Sequence, residues 1–232
     1  MGLSINRQRI DERLQEVRSL LSFIRANEST QFPPADSDEV KIARGLFFVH
    51  LYGAYEKSLN DCFQSYLRAL NAVGFDLTHF EPRIWPAALD ARFSSLQSPS
   101  EGNAWQRRAK FVEAFTTGEP CTIPDTLFGS HLANATPEKV QQIISWLGLT
   151  PFPFAPEDIQ GLVEVSEKRN AVAHGRISPR IIGQQGRSPD LEVRINNAIR
   201  FIDCVCINLA LQFSQLTYVR PPHHPAYLPL VA

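Results

Sequence analysis

Phe47, Leu51, Tyr55, Leu59, Phe63 and Leu67 recur at every fourth position without a break. A row of that length fills about six turns of α-helix and far outruns ordinary strands, so this part of the chain must be helical. The spacing predicts one helix over about 37 to 72. Asp36 and Glu39 have capping-box spacing at its start, and Gly74 is its stop. Lys57, Asp61 and Arg68 fall on another face. A helix this long with an apolar stripe is stable only against other helices.

The rest of the chain supplies them. Ile10, Leu14, Val17, Leu20, Leu21 and Ile24 predict a helix over 5 to 26, ended by Phe32-Pro33-Pro34. Residues 156 to 174 form another, from Pro156 in its first turn to Gly175 just beyond its end. A polar, glycine-containing loop from Ser178 to Pro189 separates it from a last helix over 190 to 216, where Ile195, Ile202, Val205, Leu209 and Phe213 mark a wide apolar face. The region 75 to 155 is broken by prolines and offers only short helices at 84–95, 104–116 and 136–147. The last has Thr136 as N-cap and Pro137 in its first turn. The expectation is an all-α, up-and-down helical bundle of four to five long helices, with an irregular short-helix insertion over about 75–135. Residues 1–220 make one domain, and Pro221-Pro222-His223-His224-Pro225 opens an extended C-terminal tail, 221–232. At 232 residues and 44% hydrophobic, the chain can bury one sizeable core.

Charge and cysteine content exclude several classes. With 24 acidic and 23 basic residues the net charge is −1, so there is no global basic surplus for nucleic acid. A local one exists over 161–200, where Lys168, Arg169, Arg176, Arg180, Arg187, Arg194 and Arg200 outnumber Glu164, Glu167, Asp190 and Glu192. Cys62, Cys121, Cys204 and Cys206 form no C-x-x-C pair and read as small buried residues of a reducing, cytoplasmic compartment. Cys204 and Cys206 point to opposite sides of their helix. No apolar run approaches a membrane span, and no apolar stretch follows Arg7 and Arg9 to make a secretory signal. Adjacent His223 and His224 lack a third ligand nearby, so neither a metal nor another cofactor is expected. Gly183-Gln184-Gln185-Gly186 lacks the strand and the Lys-Ser/Thr of a phosphate loop. Trp85, Trp105 and Trp146 read as core or seam residues rather than base-stacking platforms.

Two residue pairs remain. Arg169 and His174 are separated by four residues and Arg44 and His50 by five, both within the pattern R-x4-6-H. A chain with 18 arginines and 6 histidines holds about one such pair by chance, so context must choose. Arg44 and His50 lie inside the long helix. Arg169-Asn170-Ala171-Val172-Ala173-His174-Gly175 ends a helix, with Arg-Asn opening the segment and Ala-His-Gly closing it.

The stretch Leu162 to Gly175 resembles the fourth-helix motif of HEPN ribonucleases. Leu51-Tyr52-Gly53-Ala54-Tyr55-Glu56 is similar to the helix that carries an acidic residue in one prokaryotic HEPN branch, and Leu147-Gly148 ends a further helix of that type. The resemblance implies a metal-independent endoribonuclease working as a homodimer, in a toxin or phage-defence role, with RNA as substrate and an antitoxin or other regulatory protein as restraint. Arg169, His174, Asn170 and Glu56 would form its site, and Lys168, Arg176 and Arg180 would hold RNA phosphates. The chemistry suits the residues. An imidazole ordinarily titrates near pH 6.5 and can take the 2′-OH proton, while a guanidinium stays charged and donates paired hydrogen bonds to phosphate. On an ideal helix Arg169 and His174 lie about 140° apart, whereas Asn170 and His174 share a face. A homodimer, or a turn at Gly175, would bring Arg and His together. Two other readings use the same residues differently. A non-catalytic HEPN-like module binding RNA, a nucleotide or a protein would keep the basic contacts alone. A structural helical scaffold would need neither.

Overall fold

The computed structural model describes residues 3–97, 103–113 and 122–231. It is 74% helical, and there is no strand among the described residues. Four long helices make a bundle: α1 (Arg7–Asn27), α2 (Asp38–Val73), α8 (Pro156–Ala173) and α10 (Ser188–Ser214). Between α2 and α8 come the short helices α3 (Trp85–Ala88), α4 (Asp90–Leu96), α5 (Ala104–Glu113), α6 (Gly129–Leu132) and α7 (Pro137–Trp146). A short α9 (Pro179–Gly183) and a terminal α11 (His224–Val231) complete the set.

The row that predicts α2 is buried throughout, from Phe47 to Leu67, and α2 packs against α1, α8, α9 and α10. The start of α2 differs from its expected cap. Ser37, not Asp36, is the N-cap, its hydroxyl accepting from the Val40 N–H at 3.4 Å. Asp36 is drawn away by Arg44, about two turns into α2. Arg44, only 2% exposed, donates to Asp36 Oδ2 at 2.5 Å, to Glu28 Oε1 at 2.8 Å and to the Gly183 carbonyl at 3.3 Å. Glu28 in turn accepts from the Ser188 backbone and hydroxyl. Burial raises the Asp36 carboxyl, but the Ser29 N–H and Arg44 outweigh it and hold it below its ordinary pKa. This network ties α1, α2, α9 and α10 at one end of the bundle, so the Arg44–His50 pair has a structural first member.

The predicted loop 178–189 contains α9, capped by Ser178 and opened by Pro179. It lies so close to α2 that a Cβ on Gly45 would stand 2.0 Å from the Pro179 carbonyl oxygen, and one on Gly183 would stand 1.8 Å from that of Lys41. Only glycine at both positions permits this approach.

Three further expectations change. The tail is not extended: Pro221–His223 is a 3₁₀ turn and α11 follows it. Pro221, Pro222 and Pro225 fall in the opening positions of helical turns, where no backbone N–H is required. Tyr227 anchors the tail, its ring 4.6 Å from Phe75 and its hydroxyl 2.8 Å from His79 Nδ1. Part of the segment 75–135 belongs to the core, since Phe75, Phe80 and Ile84 are buried and Phe75 packs edge-on against Tyr218. The expected helix 84–95 is two helices, α3 and α4, and residues 114–116 of the expected 104–116 helix lie outside the described residues. Cys62 and Cys206 are buried with their sulfurs 3.3 Å apart, Cys204 is half-buried, and Cys121 lies outside the described residues. Trp105 is an exposed residue at 78%, with the Arg108 guanidinium over its ring. No helix among the described residues is long and apolar enough to cross a membrane.

Candidate active site

The C-terminal half of α8 carries Arg169 and Asn170. Its N-terminal half is fixed to α10 by Asp158, 4% exposed, which accepts from Asn197 at 2.8 Å and pairs with Arg200. Ser166 and Val165 are buried, so the following turn is held against α2. There Arg169 meets Tyr52. The guanidinium carbon lies 4.5 Å from the ring centroid, and one Nη donates to Asn170 Oδ1 at 2.7 Å and Asn134 Oδ1 at 3.4 Å. Tyr52 is itself buried and fixed, its hydroxyl donating to the Ala135 carbonyl at 3.2 Å beside Glu56 and Ser166. Burial first, and then the Glu56 charge, push the Tyr52 hydroxyl up to about 12.

Glu56 stands one turn along α2 from Tyr52. Burial raises its carboxyl above the ordinary value, against the pull of Arg169, the Tyr52 hydroxyl and Lys139. Its Oε2 is buried without a hydrogen-bond partner. Glu56 is therefore a carboxylate within the field of Arg169 but outside the ion-pair distance. Among the described residues Arg169 forms no salt bridge. Its partners are two amide oxygens and an aromatic face, all neutral. Arg44 offers the contrast, a guanidinium neutralised by two buried carboxylates.

His174 is the C-cap of α8 and exposed. Its backbone N–H bonds to the Asn170 carbonyl, and the chain turns at Gly175, whose φ of 65° is left-handed. Among the described residues no hydrogen bond or ion pair joins its imidazole to Arg169 or Glu56. The structure thus brings together Arg169, Asn170 and Glu56, and leaves His174 on the surface at the end of the same helix. Lys168 lies round the helix from Arg169, bonded to Glu164 at 2.7 Å and lying over the Phe48 ring. Arg180 is 3.5 Å from Asp38, and Arg176 is exposed just past Gly175. Sequence reasoning missed Tyr52, Asn134 and Lys139. Tyr52 sits within the six residues compared with a HEPN helix, off the row that holds Tyr55 and one turn from Glu56, but its spacing does not show that a guanidinium from α8 lies over its ring. Among the described residues there is no group of three His, Cys, Asp or Glu placed to hold a metal ion.

The described residues form an all-α bundle in which Arg169 and Asn170, near the end of α8, stand against Tyr52 of α2. The sequence model of the family RiboL-PSP-HEPN matches residues 8–211, nearly nine-tenths of the chain, and the protein belongs to that family within the HEPN superfamily. No curated protein and no solved structure matches it.

Proposed function

We propose that the protein is a metal-independent endoribonuclease. The observation that carries this reading is the state of Arg169, a guanidinium held in place by neutral groups, so that its charge remains for an anion. A phosphate that it binds would receive paired hydrogen bonds and meet no competing salt bridge. His174 takes the proton of the ribose 2′-OH. The freed oxygen attacks the adjacent phosphorus, the P–O5′ bond breaks, and the 5′-oxygen leaves with a proton from solvent while His174 returns its own to solvent. The products are a 2′,3′-cyclic phosphate and a 5′-OH end. Glu56 and Tyr52 are positioning residues that act on Arg169, Glu56 through its charge and Tyr52 through its ring. Asn170 fixes one edge of the guanidinium. Arg176, and Arg180 if released from Asp38, contribute phosphate contacts that add affinity without sequence choice.

The exposed imidazole suits a homodimer in which one copy's His174 faces the other's Arg169. Ile177 and Ile181, just beyond this helix end, give exposed apolar surface for such a contact. Toxin or phage-defence activity, restrained by a partner protein, is the biological setting that fits a general RNA-cutting activity of this type.

The test is incubation with total cellular RNA and with transfer RNA in excess EDTA, beside His174→Ala. Cutting that survives EDTA, leaves 5′-OH ends and is lost in the variant supports the reading. A folded, dimeric parent that cuts nothing overturns it in favour of a binding module.

A further inference from the structure

Trp146, expected as a core or seam residue, lies at the surface of the described fold. It is 37% exposed at the end of α7. Phe128, itself buried, stacks beneath it with centroids 6.2 Å apart at 27°, and His131 meets it edge-on at 5.1 Å. His131 is exposed as well. Trp105 is more exposed, but its ring already carries the Arg108 guanidinium. Of the two, Trp146 is the one backed from within and turned outward.

The position of this pair relative to Arg169 gives it meaning. His131 stands three residues before Asn134, which accepts from Arg169. At the other end of α7, Lys139 lies close enough to Glu56 to lower its carboxyl. Lys139 and Trp146 are seven residues apart, so they share one side of α7 at about 10 Å separation along its axis. Exposed Gln142 lies between them. A cation, an amide and an aromatic plate therefore run in line from the Arg169 site.

We infer that Trp146 and His131 form a stacking shelf for a base of single-stranded RNA whose phosphate lies at Arg169. Single-stranded RNA is the ligand class that needs both parts at once, since it presents charged phosphates and unpaired bases within a few nucleotides. An aromatic face accepts any base, so the shelf adds affinity and register with little sequence preference. The inference rests on the nuclease reading for the choice of ligand, but it predicts binding rather than cutting.

Its test uses a fluorescent 2′-O-methyl oligoadenylate decamer, which has no free 2′-OH and cannot be cut. A decamer of abasic ribose-phosphate carries the same charges without bases. Both are titrated by fluorescence anisotropy against the full chain and against Trp146→Ala, Trp146→Phe and His131→Ala. The shelf requires that Trp146→Ala bind the oligoadenylate about 5- to 150-fold more weakly, and that Trp146→Phe recover most of the loss. The abasic decamer must bind parent and variant alike. His131, on the surface, can be truncated without disturbing the core and should give a smaller loss of the same kind. Equal binding of the oligoadenylate by parent, Trp146→Ala and His131→Ala overturns the shelf, as does an equal loss on the abasic chain, as does a parent that binds neither decamer. The two readings fail separately. RNA cutting with binding indifferent to Trp146 removes the shelf alone, and Trp146-dependent binding without cutting removes the nuclease alone.

Discussion

The two arginine-histidine pairs should respond to mutation in opposite ways. Arg44→Met keeps the length of the side chain but takes the nearest cation from Glu28 and Asp36, both with side chains under a tenth exposed, and leaves them only Arg187 at 3.7 and 3.5 Å. Breaking a buried ion pair by removing one partner costs about 3–5 kcal/mol where the charge is left without compensation, and the longer Arg187 contacts keep this case near the lower end. For a chain of this length each kcal/mol lowers the melting temperature by roughly 2 °C, so Arg44→Met should melt about 6 °C below the parent. Arg169→Met strands two amide oxygens near the surface, gives up a cation–π contact and removes the charge that pulls the Glu56 carboxyl down, which together amount to about 1–2 kcal/mol, or roughly 2–4 °C. In the cutting assay the order reverses. Arg169→Met should be inactive while folded, and Arg44→Met should cut normally at temperatures where it remains native. Differential scanning calorimetry at pH 7 with the RNA assay beside it decides the matter. If Arg44→Met melts within about 2 °C of the parent, the buried network is not what holds α1, α2, α9 and α10 together. If Arg169→Met is the less stable of the two, the account of a neutral clamp is wrong.

Two further outcomes follow from the same geometry. The Glu56 carboxyl is raised by burial, so its ionised form opposes folding. The opposition is absent at acid pH and grows as pH rises through the shifted value. Glu56→Gln should therefore melt above the parent at pH 7, with the gap closing near pH 4, while weakening any activity that depends on Arg169. A parent more stable than Glu56→Gln at pH 7 would mean that the charge of Arg169 outweighs burial. Gly45→Ala places a methyl against the Pro179 carbonyl and should cost about 1–3 kcal/mol in thermal or urea melts. An unchanged melt would show that α9 can move away from α2 freely.

The long helices were legible because their apolar rows are local: Phe47 to Leu67 and Ile10 to Ile24 declare both period and length. What misled the reading of the sequence was competition for a side chain that spacing does not show. Asp36 has the chemistry of a cap, but Arg44 takes it and Ser37 caps instead. Prolines 221 to 225 look like helix breakers, but Tyr227 docks on Phe75 and His79 and the prolines sit where helical turns begin. At the site, Arg169, Asn170 and Glu56 could be picked out by their surroundings in the sequence. Tyr52 and Asn134 could not, since their contacts with Arg169 come from another helix and leave no trace in local spacing. Lys168 shows the opposite error. It neighbours Arg169 in sequence, but a helix turns about 100° per residue, and its amine ends in a different set of contacts.

The close approach of Gly45 to Pro179 bears on His174. From Ala173 onward the chain has only five residues before it is clamped against α2, and the first of these are already bonded back to α8 through the Gly175, Arg176 and Ile177 amides. The histidine therefore rides on a taut bridge between two anchored points rather than on a swinging loop. Its imidazole searches space by rotation about its own side-chain bonds, over a few ångströms. On the proposed nuclease reading, a phosphate would have to be delivered to it, by a second subunit or by the RNA itself, because the histidine cannot travel to meet one.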